Sequence, residues 1–287
     1  MTEKKKKKKP LQDRIAEIIS YVILTIVGLI VLLPILYIFQ LTFSTSPDAS
    51  FRILPKGFTL EHYKYVFQND LIQTPFFNSL KVTSCSLIVS MVLTIGLAYP
   101  LSRKELVGRK ILNFIVILPM LFSLGFLPKY LLVKDLGLLD SLLSLIFPAA
   151  LNTFNIIIMR NFLETIPDSL IESARIDGCS ELGILWKIVL PLSKAAVATV
   201  ALFYMVSSWN SYLDVMLYIN DPSKHTLQVV LRTLVMENSM DSTGADLALM
   251  KNVQYTTIVV ALIPVMIVYP FLQKYFVKGI MVGSVKG

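Results

Sequence analysis

Six stretches of this 287-residue chain contain no Asp, Glu, Lys or Arg: residues 18–47, 82–102, 111–128, 141–159, 195–213 and 252–273. They run for 30, 21, 18, 19, 19 and 22 residues, and the next longest, 71–80, has ten. A helix rises about 1.5 Å per residue and a bilayer's hydrocarbon core is about 30 Å thick, so each long run matches one crossing. With 55% hydrophobic residues, 16% charged residues and a mean hydropathy of +0.67, little chain is left over for a soluble domain. The expected fold is all-α, a polytopic membrane protein with six transmembrane helices at about 15–42, 82–100, 111–133, 141–163, 195–219 and 255–276. Seven prolines fall inside these spans: Pro34, Pro100, Pro119, Pro128, Pro148, Pro264 and Pro270. Each removes a backbone donor, so bent, rearrangeable helices are expected.

The net charge of +8 resembles a nucleic-acid footprint until it is located. Six of the charges are Lys4 to Lys9, and the rest of the chain keeps only +2, which excludes a basic groove for nucleic acid. A run of six lysines repels itself and is drawn to anionic lipid by about 1 kcal/mol per residue near the surface. With the N-terminus inside, 18 of the 27 Lys and Arg residues fall on the cytoplasmic side and nine outside; without the tail the bias narrows to twelve against nine. Basic residues flanking spans are retained in the cytoplasm, so both termini are placed there. The first apolar run is too long for a signal peptide and lacks its small-residue cleavage pattern. The chain divides into a basic cytoplasmic tail (1–14), a membrane domain (15–276) with a cytoplasmic loop at 164–194 and an outer loop at 220–254, and a cytoplasmic C-terminal tail (277–287).

Cys85 and Cys179 fall in a span and a cytoplasmic loop, which excludes a disulfide between them, and neither has metal-ligand company. His62 and His225 are far apart in outer loops and read as ordinary polar loop residues rather than as zinc ligands or a proton relay.

The 164–194 loop is patterned like a small folded element. Asp168 or Ser169, after Pro167, can cap a helix running to Ile176, with Leu170, Ile171, Ala174 and Ile176 apolar. Asp177-Gly178 signals a turn. Ser180 then caps a second helix, apolar at Leu182, Leu185, Trp186 and Val189, which Pro191 is expected to stop. Acidic residues in this helix-turn-helix balance the basic ones, so a groove on a protein suits it better than anionic lipid.

At this loop the sequence resembles the permease subunits of ATP-binding cassette importers. Their cytoplasmic signature is Glu-Ala-Ala, three residues, Gly, nine residues, Ile, one residue, Leu-Pro. Here Glu172-Ser173-Ala174, Gly178, Ile188 and Leu190-Pro191 fall at those spacings, with Ser173 for alanine the one departure. Residues 171–180 and 187–193, Trp209-Asn210-Ser211-Tyr212-Leu213-Asp214 and the closing residues 276–287 are similar to the carbohydrate branch, the maltose-type permeases, and to the second of its two unlike subunits. The resemblance implies a non-catalytic permease of a binding-protein-dependent importer for an oligosaccharide or complex carbohydrate, in a bacterial plasma membrane. It implies that the loop is a coupling helix-turn-helix, with Glu172, Ser173, Ala174, Asp177, Gly178, Ile188, Leu190 and Pro191 at the ATPase contact. Glu172 would present a charge to the ATPase groove, and Gly178 would permit a turn that a side chain would crowd. Lys286 and Gly287 sit where such tails reach between ATPase subunits. The implied partners are a companion permease, a cytoplasmic ATP-binding dimer, an extracellular carbohydrate-binding protein and lipid. No phosphate loop of the G-x-x-x-x-G-K-[ST] type is present, so ATP and Mg would be bound by the ATPase subunits and no cofactor by this chain.

The fifth run alone carries a dense polar stripe. Ser207, Asn210, Asp214 and Tyr218 follow helical spacing, with Tyr204, Ser208 and Tyr212 beside them and Trp209 between. Polar groups at bilayer depth face a bundle interior or water, and aromatic faces with amides and hydroxyls suit sugars. An interfacial aromatic belt and helix-helix hydrogen bonds explain the same residues. Tyr204, Ser207, Trp209, Asn210, Tyr212 and Asp214, with Asn152 and Asn155 of the fourth span, form the candidate substrate path. The outer loop from Asn220 to Gln254 is expected to touch the binding protein. The alternative functions are a self-sufficient secondary transporter or a membrane-embedded enzyme. The enzyme needs a nucleophile, base or metal pair within the spans, which offer no histidine and only Asp214 near an end, and the secondary transporter wants ionisable residues at midplane, where none is present.

Overall fold

The computed structural model describes residues 11–45, 55, 57–122, 125–237 and 245–283, with side chains for all of these except 11, 237, 245–250 and 272–283. Lys4 to Lys9, Lys286, Gly287 and residues 238–244 of the outer loop lie outside the described residues. All regular structure among the described residues is helical, which satisfies backbone polar groups within each segment, as hydrocarbon demands. Three helices are long and apolar enough to cross a membrane, Gln12–Thr42, Asp70–Ser102 and Lys251–Phe271; counting two bent helix pairs as single spans raises this to five.

The chain forms two compact units. The first contains α1 (Leu11–Thr42), most of α2 (Glu61–Gln68) and the start of α14 (Ala245–Gly283). α1 runs past Pro34 unbroken, and its apolar window is wholly exposed. Phe43 stacks on Phe58 with ring centroids 5.5 Å apart. His62, expected in a loop, is instead a buried residue of α2, its Nε2 3.2 Å from the Ser44 carbonyl and 3.3 Å from Asn252 Nδ2. The short amphipathic stretch around it turned helical because its apolar side had buried partners to meet.

The second unit is organised on α3 (Asp70–Ser102), which packs against α7 (Thr153–Leu163) and α11 (Lys194–Trp209). Its buried side carries Ser79, Thr83, Ser86, Ser90 and Thr94, spaced three or four apart. Small residues at that spacing let helix backbones approach closely. Two apolar clusters lie along it. One gathers Tyr99, Met159, Leu163, Ile171, Ile184, Val189, Val200 and Tyr204; the other gathers Val82, Val133, Leu145, Ile146, Val215, Tyr218 and Val229.

The third, fourth and fifth apolar runs are interrupted. The third becomes α4 (Arg109–Leu121) and α5 (Phe126–Asp135). The fourth becomes α6 (Leu143–Ile146) and α7, with Pro148 in the gap and Asn152 capping α7 by accepting the Asn155 N–H at 3.2 Å. The fifth is divided at Asn210–Tyr212 into α11 and α12 (Leu213–Tyr218). Absence of charge measures a run's affinity for hydrocarbon, whereas helix continuity also depends on proline and on side chains that compete for backbone groups. Among the described residues of the 220–254 loop most are helical, in a 3₁₀ turn (Pro222–Lys224), α13 (Leu227–Glu237) and the start of α14.

Candidate functional site

The 164–194 segment folds into the two helical arms expected of it, with different fastenings. α8 (Asp168–Ile176) begins after Pro167, and no side chain caps it. Asp168, expected as a cap, is the first helical residue, and its carboxylate accepts from Lys104 Nζ at 3.3 Å and lies 3.9 Å from Arg103. α8 ends in a Schellman turn: Gly178 N–H donates to the Arg175 carbonyl at 3.0 Å and Cys179 N–H to that of Ala174 at 2.9 Å. Gly178 sits at φ +80°, but a Cβ there would meet nothing within 4 Å. Within this chain nothing crowds the position, and the left-handed backbone by itself favours glycine there.

The second arm starts at Ser180, whose Oγ accepts from Gly183 N–H at 3.2 Å. It runs through α9 (Glu181–Ile184), a π-turn (Leu185–Val189) and α10 (Leu190–Leu192), and ends at Ser193. Pro191 therefore does not stop the helix. It occupies the opening turn of α10, where a missing N–H costs least. At Ser193 the chain turns by 85° into α11.

This element has two faces. Ile171, Ala174, Ile184, Leu185 and Val189 are buried against α3, α7 and α11, whereas Ile176, Leu182 and Trp186 are 86%, 70% and 68% exposed. Glu172, Ser173, Asp177, Gly178 and Pro191 are exposed, and Ile188 and Leu190 half-buried. Arg175 links the arms, donating from Nη1 to Glu105 at 2.8 Å and from Nε to Glu181 at 2.7 Å. Glu181 also accepts from the Tyr99 hydroxyl of α3 at 2.9 Å. The Arg175 hydrogen bond holds the Glu181 carboxyl below its ordinary pKa, and Glu181 and Glu105 hold the Arg175 guanidinium above its own. Arg109 pairs with Glu164, and Arg103 Nη2 donates to the Leu163 carbonyl at 2.9 Å. The element is thus fastened by charge to the ends of α3, α4 and α7.

The candidate substrate path is only partly brought together. Tyr204, Ser207, Ser208, Ser211 and Asp214 line one cavity of about 60 Å³ with Ser86, Ser90 and Thr226. That is the volume of about two liquid waters and less than a sugar ring needs. Ser86 Oγ and Thr226 Oγ1 are buried there with no protein partner among the described residues, so the site calls for water. The Tyr204 hydroxyl lies 2.7 Å from Thr94 Oγ1 and accepts from Asn152 N–H at 3.1 Å. Asn155 is buried.

Trp209 does not face this cavity; it is 4% exposed and packs edge-on against Phe76. Asn210 and Asp214, expected one helical turn apart, lie on either side of the break. Asn210 is exposed and donates from Nδ2 back to the Val206 carbonyl at 2.9 Å, while Asp214 accepts from Ser211 Oγ at 2.9 Å. A capping asparagine competing for backbone groups ends α11 and cancels the stripe's register. Sequence reasoning missed the other wall, Ser86 and Ser90, although serine and threonine recur at helical spacing from Ser79 to Thr94.

Beyond α12 the chain is strapped to the turn before α6. Asp140, a non-glycine residue at φ +57°, accepts the N–H groups of Asp221 and Asn220 at 3.0 and 3.1 Å, and Lys224 Nζ donates to its carbonyl at 2.9 Å. The Asp221 N–H, helped by Lys224 and Asn220, holds the Asp140 carboxyl below its ordinary range.

Residues 5–282 match the family described as binding-protein-dependent transport system inner membrane component. The chain is 44% identical over 286 residues to the polygalacturonan/rhamnogalacturonan transport system permease protein YtcP of Bacillus subtilis strain 168, covering 96% of this chain and 100% of that one. It is also 44% identical over 284 residues to Protein LplC of the same organism, covering 96% of each. A crystal structure of a bacterial ABC transporter involved in the import of the acidic polysaccharide alginate contains a chain 35% identical to this one. The two superpose with a TM-score of 0.85 over 94% of this chain and all of that chain.

Proposed function

The chain belongs to the inner-membrane component family of binding-protein-dependent transport systems, and from that premise we propose that it is one of two unlike permease subunits of an importer for an oligosaccharide or complex carbohydrate. It is a multi-pass membrane protein and does not itself hydrolyse ATP, which in such transporters is the work of a separate ATPase subunit. In this reading the six apolar runs are six crossings, three of them broken, and both termini lie in the cytoplasm. The companion permease, an ATPase dimer holding ATP and Mg, an extracellular carbohydrate-binding protein and lipid are the partners. The polygalacturonan/rhamnogalacturonan transport named for one relative and the alginate import named for the solved structure support the carbohydrate class.

The observation that carries the mechanism is the two-faced element between α7 and α11. Its inner side belongs to the main apolar cluster and its charged links reach α3 and α4, so a push on it is delivered to the helix ends. Its outer side presents Ile176, Leu182 and Trp186 to whatever docks there. Closure of the ATPase dimer would move this element and switch the membrane helices from inward to outward access. The test is assembly: with Ile176→Ser and Trp186→Ala together, the ATPase should no longer co-elute with the permease pair in detergent, although the pair itself still forms. Unchanged co-elution would remove this face from the ATPase contact.

A further inference from the structure

α13 is held against α3 at its start, where Leu227 N–H donates to Ser79 Oγ at 2.8 Å and Asn78 Nδ2 to the Ser223 and His225 carbonyls at 2.8 and 3.1 Å. One and a half turns further along, the guanidinium of Arg232 lies over the ring of Tyr212, 4.4 Å from its centroid. Among the described residues no carboxylate pairs with Arg232, whereas Arg103, Arg109, Arg160 and Arg175 each pair with one. Around it lies an open groove of about 530 Å³ lined by Tyr212, Gln228, Leu231, Arg232, Val235 and Met236. Ser211 lines the small polar cavity, and the residue after it, Tyr212, lines the groove.

The chemistry of this groove differs from that of a neutral sugar subsite. A guanidinium held over an aromatic ring retains N–H donors for an acceptor, and a carboxylate matches their fork in two parallel bonds. The guanidinium is exposed in this open groove, and an ionised acceptor gives its N–H groups hydrogen bonds about twice as strong as a neutral acceptor does. The Gln228 amide offers a donor and an acceptor to hydroxyl groups, and Leu231, Val235 and Met236 offer apolar surface to C–H faces. We infer that this groove binds a carboxylate-bearing saccharide, a uronic-acid unit, with Arg232 pairing to its carboxylate and Tyr212 fixing the guanidinium. This rests on the importer reading and narrows it from saccharides at large to acidic ones.

The experiment measures binding to the purified permease–ATPase complex with the binding protein left out, using a galacturonate trisaccharide and its methyl ester as probes. The wild type should bind the acid at least tenfold more tightly than the ester. Arg232→Gln should bring the ratio close to one, chiefly by weakening binding of the acid, and Arg232→Lys should keep part of the preference. Arg232 is on the surface, so assembly yield should be equal for all three. A wild type that binds both probes equally or neither, or an Arg232→Gln variant that still prefers the acid, overturns the inference. A separate arm isolates the importer reading. ATP-driven uptake of saccharide by the wild type in proteoliposomes with its binding protein upholds that reading whatever the charge preference; no uptake of any saccharide overturns both.

Discussion

The element between α7 and α11 and the broken fifth run adjoin in sequence and behave oppositely. In the first, the turn glycine, the Ser180 cap and the alternation of buried and exposed apolar residues appear where local patterning puts them. In the second, a stripe at helical spacing comes apart because the helix ends at Asn210. Caps and left-handed turns are settled within four or five residues of chain. A polar residue in an apolar helix is settled by what lies across from it, and for Tyr204 that is Thr94 and Asn152, distant in sequence.

The largest effect expected is at Gly178. If the glycine serves only its φ, Gly178→Val should reduce binding-protein-stimulated ATP hydrolysis to the basal rate, while Gly178→Asn, which tolerates left-handed backbone, should retain most of it. Equal loss in both would restore crowding by a docked partner as the cause and blur the contrast drawn above.

Next is Trp209, which the structure separates from its neighbour Asn210. Trp209→Ala removes a buried aromatic and should cost about 3–5 kcal/mol, read as a lower yield of intact complex on a sizing column. Asn210→Ala loses only a bond to its own helix and should leave that yield unchanged. If transport falls in step with yield for Trp209→Ala, the residue packs helices; a transport loss at full yield would return it to the sugar path.

Arg175→Ala tests whether charge links transmit force rather than hold the fold. A partly exposed ion pair contributes less than about 1 kcal/mol, so the melting temperature should shift little. Stimulated ATPase should nevertheless fall several-fold, because α8 loses its links to Glu105 and to Glu181, while Glu181 keeps its bond to Tyr99 of α3. A large melting shift with normal coupling would reverse that assignment.

The smallest effect belongs to the Asp140 strap. Its carboxyl titrates below its unfolded value, so its contribution is complete above the ordinary carboxylate range and disappears as the pH falls from there through the lowered folded pKa. Asp140→Asn keeps the left-handed backbone and removes the charge. The gap in melting temperature between wild type and variant should be present at pH 7 and shrink toward pH 3; a gap that widens in acid would refute the strap.

Much of the architecture was legible in the chain. The charge-free runs marked the three helices long and apolar enough to cross a membrane, though not α13, a shorter apolar helix within the expected outer loop, and seven residues from Glu172 to Pro191 marked the two-faced element. The breaks were less so. Pro148 announced one, but Asn210 is as often a helix-helix contact as a cap, and only the fold decides between them. His62 was misread for the same reason, since nothing near it in sequence foretells Asn252. The serine and threonine ladder of α3 was visible and passed over, because small hydroxyl residues do not interrupt an apolar run.

The 85° turn at Ser193 makes the two arms and α11 a bell crank. α11 has 16 residues, hence a length of about 24 Å. Rocking the short limb by about 10° would therefore swing the far end of α11 through about 4 Å, about three-quarters of a helical turn. That far end is Trp209 and Asn210, where the helix stops and the outer segment hinges away. If the proposed coupling holds, a stroke delivered to the short limb would be geared up along α11, and the break in the fifth run would be the joint that spares α12 the same swing.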